Sequence, residues 1–171
     1  MEPNQILKKY GIQGGILYGA LASLIMLLMS VLGSQNNTLV SIIGLALSIA
    51  IVAWACMQFK NENEGFLSIS EGIKIGLITG VIGGLIYAVY MYLHYEIIYP
   101  NELITYQEEA LLAVEEQIES GAIQQREEIE MAKKAVVIMT STFTLATLSL
   151  FTQLFKAFIF GLGCGLIFRN I

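Results

Sequence analysis

Residues that could do chemistry are few and scattered in this sequence. The single histidine, His94, lies two positions from Glu96, so the two side chains point to different sides of a helix, and a zinc site is not expected. The two cysteines, Cys56 and Cys164, lack metal-type spacing and are expected to be packing residues rather than a disulfide. The most unusual residue is Lys156, a charge inside a long apolar stretch.

No catalytic or cofactor-binding motif accompanies these residues. The sequence has no glycine-rich phosphate loop followed by Lys-Ser/Thr, no HExxH and no GxSxG. Catalysis needs a nucleophile or an acid–base pair within hydrogen-bonding reach, and the apolar segments supply only scattered Ser and Thr. We therefore expect no enzyme activity, no cofactor and no metal. A net charge of -5 without a basic patch also disfavours nucleic-acid binding.

The elements that must position these residues are four apolar segments of membrane length. The composition is 56% hydrophobic and 13% charged, whereas soluble proteins average ~25% charged residues. A helix needs ~20 apolar residues to cross a hydrocarbon core of ~30 Å. The sequence predicts an all-α bundle with four transmembrane helices at about 12–32, 39–58, 73–95 and 148–168, forming a single membrane domain.

Within the last of these segments, Lys156 lies ~12 Å from the start at ~1.5 Å per residue. An unpaired lysine at the bilayer centre costs at least ~2.5–3.5 kcal/mol, and such residues usually face the bundle interior and pair. One hypothesis is therefore an intramembrane polar cluster of Lys156, Glu96 and His94. The alternative is that the lysine stem lies on apolar surface while its ammonium reaches the headgroups.

Basic residues near the segment ends predict the orientation. Lys8 and Lys9 precede the first segment, Lys60 and Lys74 flank the loop between the second and third, and Arg169 ends the fourth. The positive-inside rule then puts both termini and the 59–74 loop in the cytoplasm. The short loop 33–38 and the long segment 94–147 then face outward.

The long outer segment is strongly acidic. It holds ten glutamates against Arg126, Lys133 and Lys134. Leu103, with apolar residues after it at intervals of three to four, predicts an amphipathic helix, and Gly121 marks its end. We expect an extracytoplasmic amphipathic helical hairpin at about 102–134. It is either a docking surface for a basic partner, a cation-binding face, or a hairpin that glutamate merely keeps solvated.

A glycine pattern recurs between the first and third segments. Residues 10–25 align without gaps on residues 71–86. This predicts two parallel helical-hairpin repeats, with the first and third segments packed on each other. Small residues matter at such contacts because they allow helices to approach closely in lipid. The alternative is that one of these glycine faces packs against a second copy of the chain in a homodimer. The expected helix-packing residues are Gly15, Gly19, Gly76, Gly80, Gly84, Gly161 and Gly165.

Several short elements in a fixed order carry a family resemblance. They are Lys9-Tyr10-Gly11, the Glu71-Gly-Ile-Lys-Ile-Gly entry, the tyrosine-rich exit ending in Tyr99-Pro100-Asn101, the glutamate-rich hairpin, and a glycine-rich last segment ending in Phe168-Arg169. In these the chain resembles an uncharacterised family of small Bacteroidota membrane proteins, domain of unknown function 4199. The resemblance implies a four-span inner-membrane protein with no assigned activity, and it supplies no functional residues. Lys156 is a departure from what such a family leads us to expect.

Two functional hypotheses remain. The first is an integral inner-membrane protein with a structural or accessory role, acting through helix packing and the acidic outer hairpin. Its partners would be the lipid bilayer and either a second copy or another membrane protein. The alternative is a small transporter or channel subunit that works as an oligomer, with Lys156 lining the path. Parallel repeats occur in transporters. The two hypotheses differ in whether Lys156 faces a hydrated cavity or lipid.

Overall fold

The regular structure of the protein is entirely helical over the residues that the computed structural model describes, 2–33 and 37–169. The helices are α1 Pro3–Val31, α2 Thr38–Glu62, α3 Ile69–Leu93, α4 Pro100–Glu119, α5 Arg126–Met139 and α6 Thr142–Phe168. A π-helical segment, His94–Ile98, follows α3 directly. The predicted all-α class is confirmed.

Four of these helices are long and apolar enough to cross a membrane: α1, α2, α3 together with the π-helical segment, and α6. This agrees with the four segments predicted from the sequence, although α1 begins at Pro3, well before the expected start at residue 12. Residues 34–36 of the predicted short loop 33–38 lie outside the described residues.

The chain divides into two compact units. The first unit contains the described residues up to Val89 and those from Ser149 onward, and the second unit is Tyr90–Leu148. The first unit therefore holds α1, α2, most of α3 and most of α6, while α4 and α5 belong to the second.

Local signals in the sequence set the helix starts. Asn37 caps α2, since its side-chain oxygen accepts hydrogen bonds from the backbone N–H groups of Leu39 at 3.1 Å and Val40 at 3.2 Å. Before α3, the Ser68 backbone N–H donates to the Glu71 carboxylate at 2.7 Å, and the Glu71 N–H donates back to the Ser68 hydroxyl at 3.2 Å. This reciprocal pair is a capping box.

Inside the first unit, α1 and α3 approach through glycine. A methyl group on Gly15 would lie 2.6 Å from Cβ of Ile82, and one on Gly19 would lie 2.7 Å from the carbonyl oxygen of Gly83. Real side-chain carbons do not come that close, so only glycine fits at these positions. Beside them, the buried Thr79 hydroxyl donates a hydrogen bond to the carbonyl of Gly11 at 3.3 Å.

A second glycine contact joins α3 to α6. A methyl group on Gly72 would lie 2.7 Å from the carbonyl oxygen of Gly161, and one on Gly161 would lie 2.5 Å from the carbonyl oxygen of Gly72. The two backbones therefore touch directly. Gly76, Gly80 and Gly84 continue the α3 side of this contact, and Gly165 continues the α6 side against Ile69.

The partner of Gly80 differs from the sequence-based expectation. The prediction that the α3 glycine ridge meets the first span is wrong at Gly80, which lies against Leu154 and Ala157 of α6. The reason is geometric: residues four apart share one helix face, and that face of α3 is turned to α6, while α1 contacts the adjacent stripe of Thr79 and Gly83. The two aligned glycine patterns thus have different neighbours, and the repeat itself stays a prediction.

The α3–α6 contact predicts a position-specific cost of adding one methyl group. Gly161→Ala should lower the free energy of unfolding by ~1–3 kcal/mol because it overpacks a backbone contact. Gly163→Ala on the same helix should be neutral or slightly stabilising, since nothing lies within 4 Å of a methyl group there. Thermal unfolding of both variants in the same detergent measures the difference. Equal stability would contradict a close α3–α6 contact.

Candidate functional site

The best-defined polar cluster of the second unit forms around the π-helical segment. Helix α3 cannot continue into α4 because Pro100 has no N–H group and restricts Tyr99 before it. Tyr99 has φ −134° and ψ 60°, and its N–H donates to the carbonyl of His94 at 2.7 Å. π-helical turns are rare and frequently mark functional sites. Here the turn presents the only histidine of the chain.

Both ring nitrogens of His94 have hydrogen-bond partners. Nδ1 lies 3.2 Å from the Tyr90 hydroxyl, and Nε2 lies 3.1 Å from the Glu102 carboxylate. Tyr90 is one turn earlier on the same face, whereas Glu102 belongs to the first turn of α4. His94 is fully buried. Its imidazole therefore ties α3 to α4.

The partners of His94 restrict where its protons lie. An ionised carboxylate can only accept hydrogen bonds, so Nε2 carries a proton that it donates to Glu102. The Tyr90 hydroxyl then donates to Nδ1 when the imidazole is neutral. This Tyr–His–Glu order has the form of a general base oriented by a carboxylate. Because the imidazole has no exposed surface, no substrate reaches it in this conformation.

Tyrosine rings complete the surroundings of the imidazole. Their centroids lie 5.5 Å from it for Tyr90, 5.3 Å for Tyr95 and 5.1 Å for Tyr99. The Tyr95 ring stands edge-on at 83°, a favourable arrangement for aromatic pairs. These tyrosines thus line a buried histidine.

Glu96, the second predicted cluster residue, contacts another partner. Its carboxylate accepts a hydrogen bond from the Thr142 hydroxyl at 2.7 Å, which joins the π-helical segment to the start of α6. Thr142 is buried. Glu96 and His94 therefore fasten different elements of the second unit.

Lys156, the third predicted residue, belongs to the first unit. Its side chain is exposed on α6, and it forms no ion pair with the described residues of that unit. Its predicted pairing with Glu96 or His94, which lie in the second unit, stays a prediction.

A second polar cluster lies in the first unit where α1 begins and α2 ends. The Lys9 ammonium lies 2.8 Å from the Glu62 carboxylate, and the Tyr10 hydroxyl donates to the same carboxylate oxygen. Nearby along α2, the Lys60 ammonium donates to the carbonyl of Phe168 at 2.9 Å, at the C-terminal end of α6. A cation at a helix C-terminus is favourable.

The remaining candidate ligands do not assemble into a metal site. Among residues 2–33 and 37–169, no three His, Cys, Asp or Glu side chains converge in a way that could hold an ion. Cys56 and Cys164 are buried and free, and their thiols contact each other between α2 and α6.

Sequence reasoning missed Tyr90 and Glu102 as the partners of His94. The spacing of four residues between Tyr90 and His94 was a usable signal, since residues that far apart share a helix face. No comparable signal pointed to Glu102, because its contact with His94 depends on the π-helical turn before Pro100.

The fold of residues 2–33 and 37–169 defines the class of protein: a helical membrane protein, with four helices in these ranges long and apolar enough to cross a bilayer. The chain belongs to the family described as protein of unknown function (DUF4199), whose family model matches residues 10–170. Searches of curated proteins and of solved structures found no match.

The His94 cluster predicts a stability difference between two glutamates of α4. Glu102→Ala leaves a buried N–H without its acceptor and should lower the free energy of unfolding by ~1–3 kcal/mol. Glu109→Ala, at an exposed position of the same helix, should change it by less than ~0.5 kcal/mol. Hydrogen exchange of α4 amides and thermal unfolding measure both variants. A loss no larger for Glu102→Ala than for Glu109→Ala would show that the contact does not hold α4.

Proposed function

We propose that this chain is a multi-pass protein of the bacterial cytoplasmic membrane with a structural, accessory role and no enzymatic activity. Its first unit anchors the chain through close helix packing. Its second unit docks a partner protein that carries basic groups.

The observation that carries this proposal is the uncovered face of α5. None of its residues is buried, and Met131, Val137, Ile138 and Met139 are each more than half exposed. A surface helix of a globular protein normally turns its apolar stripe toward a core. Ile129, Ala132 and Val136 of α5 are half-buried, so the helix packs one apolar stripe and leaves its other apolar residues exposed, as at a contact surface.

Charge adds a preference for the kind of partner. Eight exposed glutamates lie on α4 and α5. Of these eight, only Glu115 and Glu130 form ion pairs with described residues of the second unit, with Lys133 at 3.7 Å and Arg126 at 3.5 Å. The others are free to attract cationic groups. Such complementarity raises association rates and selects partners more than it adds affinity.

The absence of catalysis is supported by the state of the only histidine. His94 is enclosed by Tyr90, Tyr95, Tyr99 and Glu102, so its best acid–base arrangement is closed to substrate. Its contacts are those of a group that fastens α3 to α4. A structural role accounts for all of them.

The alternative, a transporter or channel subunit, depends on Lys156 lining a hydrated path. Two observations of the first unit weigh against a path inside one copy of the chain. The backbones of α3 and α6 touch at Gly72 and Gly161, which leaves no space between them, and Lys156 is exposed on α6. An exposed lysine of this kind can instead lay its stem along apolar surface and place its ammonium among the lipid headgroups.

The proposed orientation has both termini in the cytoplasm and α4–α5 outside. It is supported by the basic residues Lys8, Lys9, Lys60, Lys74 and Arg169, all at one end of the first unit.

This orientation predicts the reactivity of introduced cysteines. Ser120→Cys, in the turn after α4, should react with an impermeant thiol reagent in cells with a permeabilised outer envelope, while Asn61→Cys should not. Both positions are exposed. The parent chain, whose two thiols are buried, sets the background. Labelling of Asn61→Cys without Ser120→Cys would reverse the orientation.

Docking through α5 predicts a charge-dependent protein contact. A photo-crosslinking residue at Met131 should capture a protein in native membranes. Glu127→Gln with Glu128→Gln, and raised ionic strength, should both weaken the capture because exposed charges are screened by salt. Mass spectrometry of the adducts measures the yield.

Glu64→Gln is the control for this experiment, because Glu64 is also exposed but lies in the first unit. It should leave the yield unchanged. Adducts with lipid alone would show that α5 lies on the membrane and would contradict the docking role. A yield insensitive to the α5 charges would contradict the basic partner.

A further inference from the structure

An apolar groove runs between α1 and α2 in the first unit. Its volume is about 330 Å³, which is within the range of ~300–1,000 Å³ typical of ligand sites. Leu17, Leu47 and Trp54 in its walls are partly exposed, so the groove opens sideways at the surface of the helix pair. Its lining contains only apolar or aromatic residues: Leu17, Leu21, Leu47, Ala50, Ile51 and Trp54.

One end of the groove is aromatic and polar. The Trp54 ring lies edge-on to the Tyr10 ring, with centroids 6.2 Å apart and an interplanar angle of 84°. The Tyr10 hydroxyl in turn binds Glu62 beside Lys9. Trp and Tyr are enriched where a membrane meets water. The groove therefore starts at headgroup level and runs toward Leu21 and Leu47, deeper along the helices.

A cation is available at this same end. Lys9 reaches α2 at Glu62, whereas Lys8 shares the helix face of Gly11 and Gly15, which is turned to α3. The ion pair of Lys9 with Glu62 has both side chains more than a third exposed, and exposed pairs of this kind contribute little. The Lys9 ammonium can therefore turn from Glu62 to another anion at little cost.

We propose that the α1–α2 groove binds one anionic phospholipid, with an acyl chain along Leu47 and Leu21 and its phosphate at Lys9. An acyl chain matches a groove without polar groups that opens to the bilayer. A phosphate matches a lysine at headgroup level, since Lys is a point-charge phosphate binder. This site is independent of the proposed docking role of α5, because it lies in the other unit.

Native mass spectrometry of the full chain tests the site. The chain is released from nanodiscs that contain equal amounts of phosphatidylglycerol and phosphatidylcholine, and retained lipids are counted. We expect phosphatidylglycerol to be retained in preference. Lys9→Gln should reduce that preference about fivefold, whereas Lys8→Gln, on the α3-facing side of α1, and Lys74→Gln, exposed at the same end but on α3, should not.

The groove itself is tested by a matched pair of substitutions on α2. Leu47→Trp fills the groove and should remove most of the retained lipid of both kinds. Leu45→Trp should not, because Leu45 has nearly the same exposure, 48% against 46%, but lies on the opposite side of the helix.

Three results would overturn the site. Equal retention of the two lipids would remove the role of Lys9. Equal effects of Leu47→Trp and Leu45→Trp would remove the role of the groove. Loss of a dimer on Leu47→Trp, with lipid retention unchanged, would assign the groove to a second copy of the chain.

Discussion

Direct contact between glycine backbones is the constraint on which the first unit depends. In lipid the hydrophobic effect does not favour helix–helix contact over helix–lipid contact, so helix association relies on close van der Waals approach. Helix α3 satisfies this on two stripes, with Gly72, Gly76, Gly80 and Gly84 against α6, and Thr79 with Gly83 against α1. With α3 between them, the start of α1 and the ends of α2 and α6 come to one end of the unit. The contacts of Lys9 with Glu62 and of Lys60 with Phe168 follow from that arrangement.

The second unit obeys a different rule, the satisfaction of buried polar groups. A buried polar group without a hydrogen-bond partner is costly, so the π-helical turn would destabilise the unit if it buried an unpaired imidazole. Tyr90 and Glu102 occupy both nitrogens of His94, and Thr142 occupies the carboxylate of Glu96. Polar contacts of this kind fix direction as well as distance. They therefore hold α4 and the start of α6 to the turn, where apolar packing alone would permit sliding.

Properties that depend on local pattern could be predicted from the sequence, and properties that depend on tertiary contact could not. Segment length and hydropathy predicted four apolar helices, and Gly121 with φ +75° ends the first helix of the acidic segment as expected. The predicted hairpin ended at about residue 134, whereas α5 extends to Met139, because residues 135–139 are apolar and continue the helix. The contact of Glu102 with His94 was beyond reach, since nothing local signals that a π-helical turn brings them together.

The side of α6 on which Lys156 lies could have been predicted from the spacing of the small residues in that helix. The α6 residues that touch α3 are Leu150, Leu154, Ala157, Gly161 and Gly165, spaced by three and four as one face of a helix requires. Lys156 is one residue, or ~100°, from Ala157, so it cannot lie in the α3 contact once the small residues do. The glycines of α6 thus determine the direction of the lysine. When an apolar helix carries both a charged residue and a row of small residues, the packing face of the small residues should be assigned first. The depth of the charge in the apolar segment should be considered afterwards.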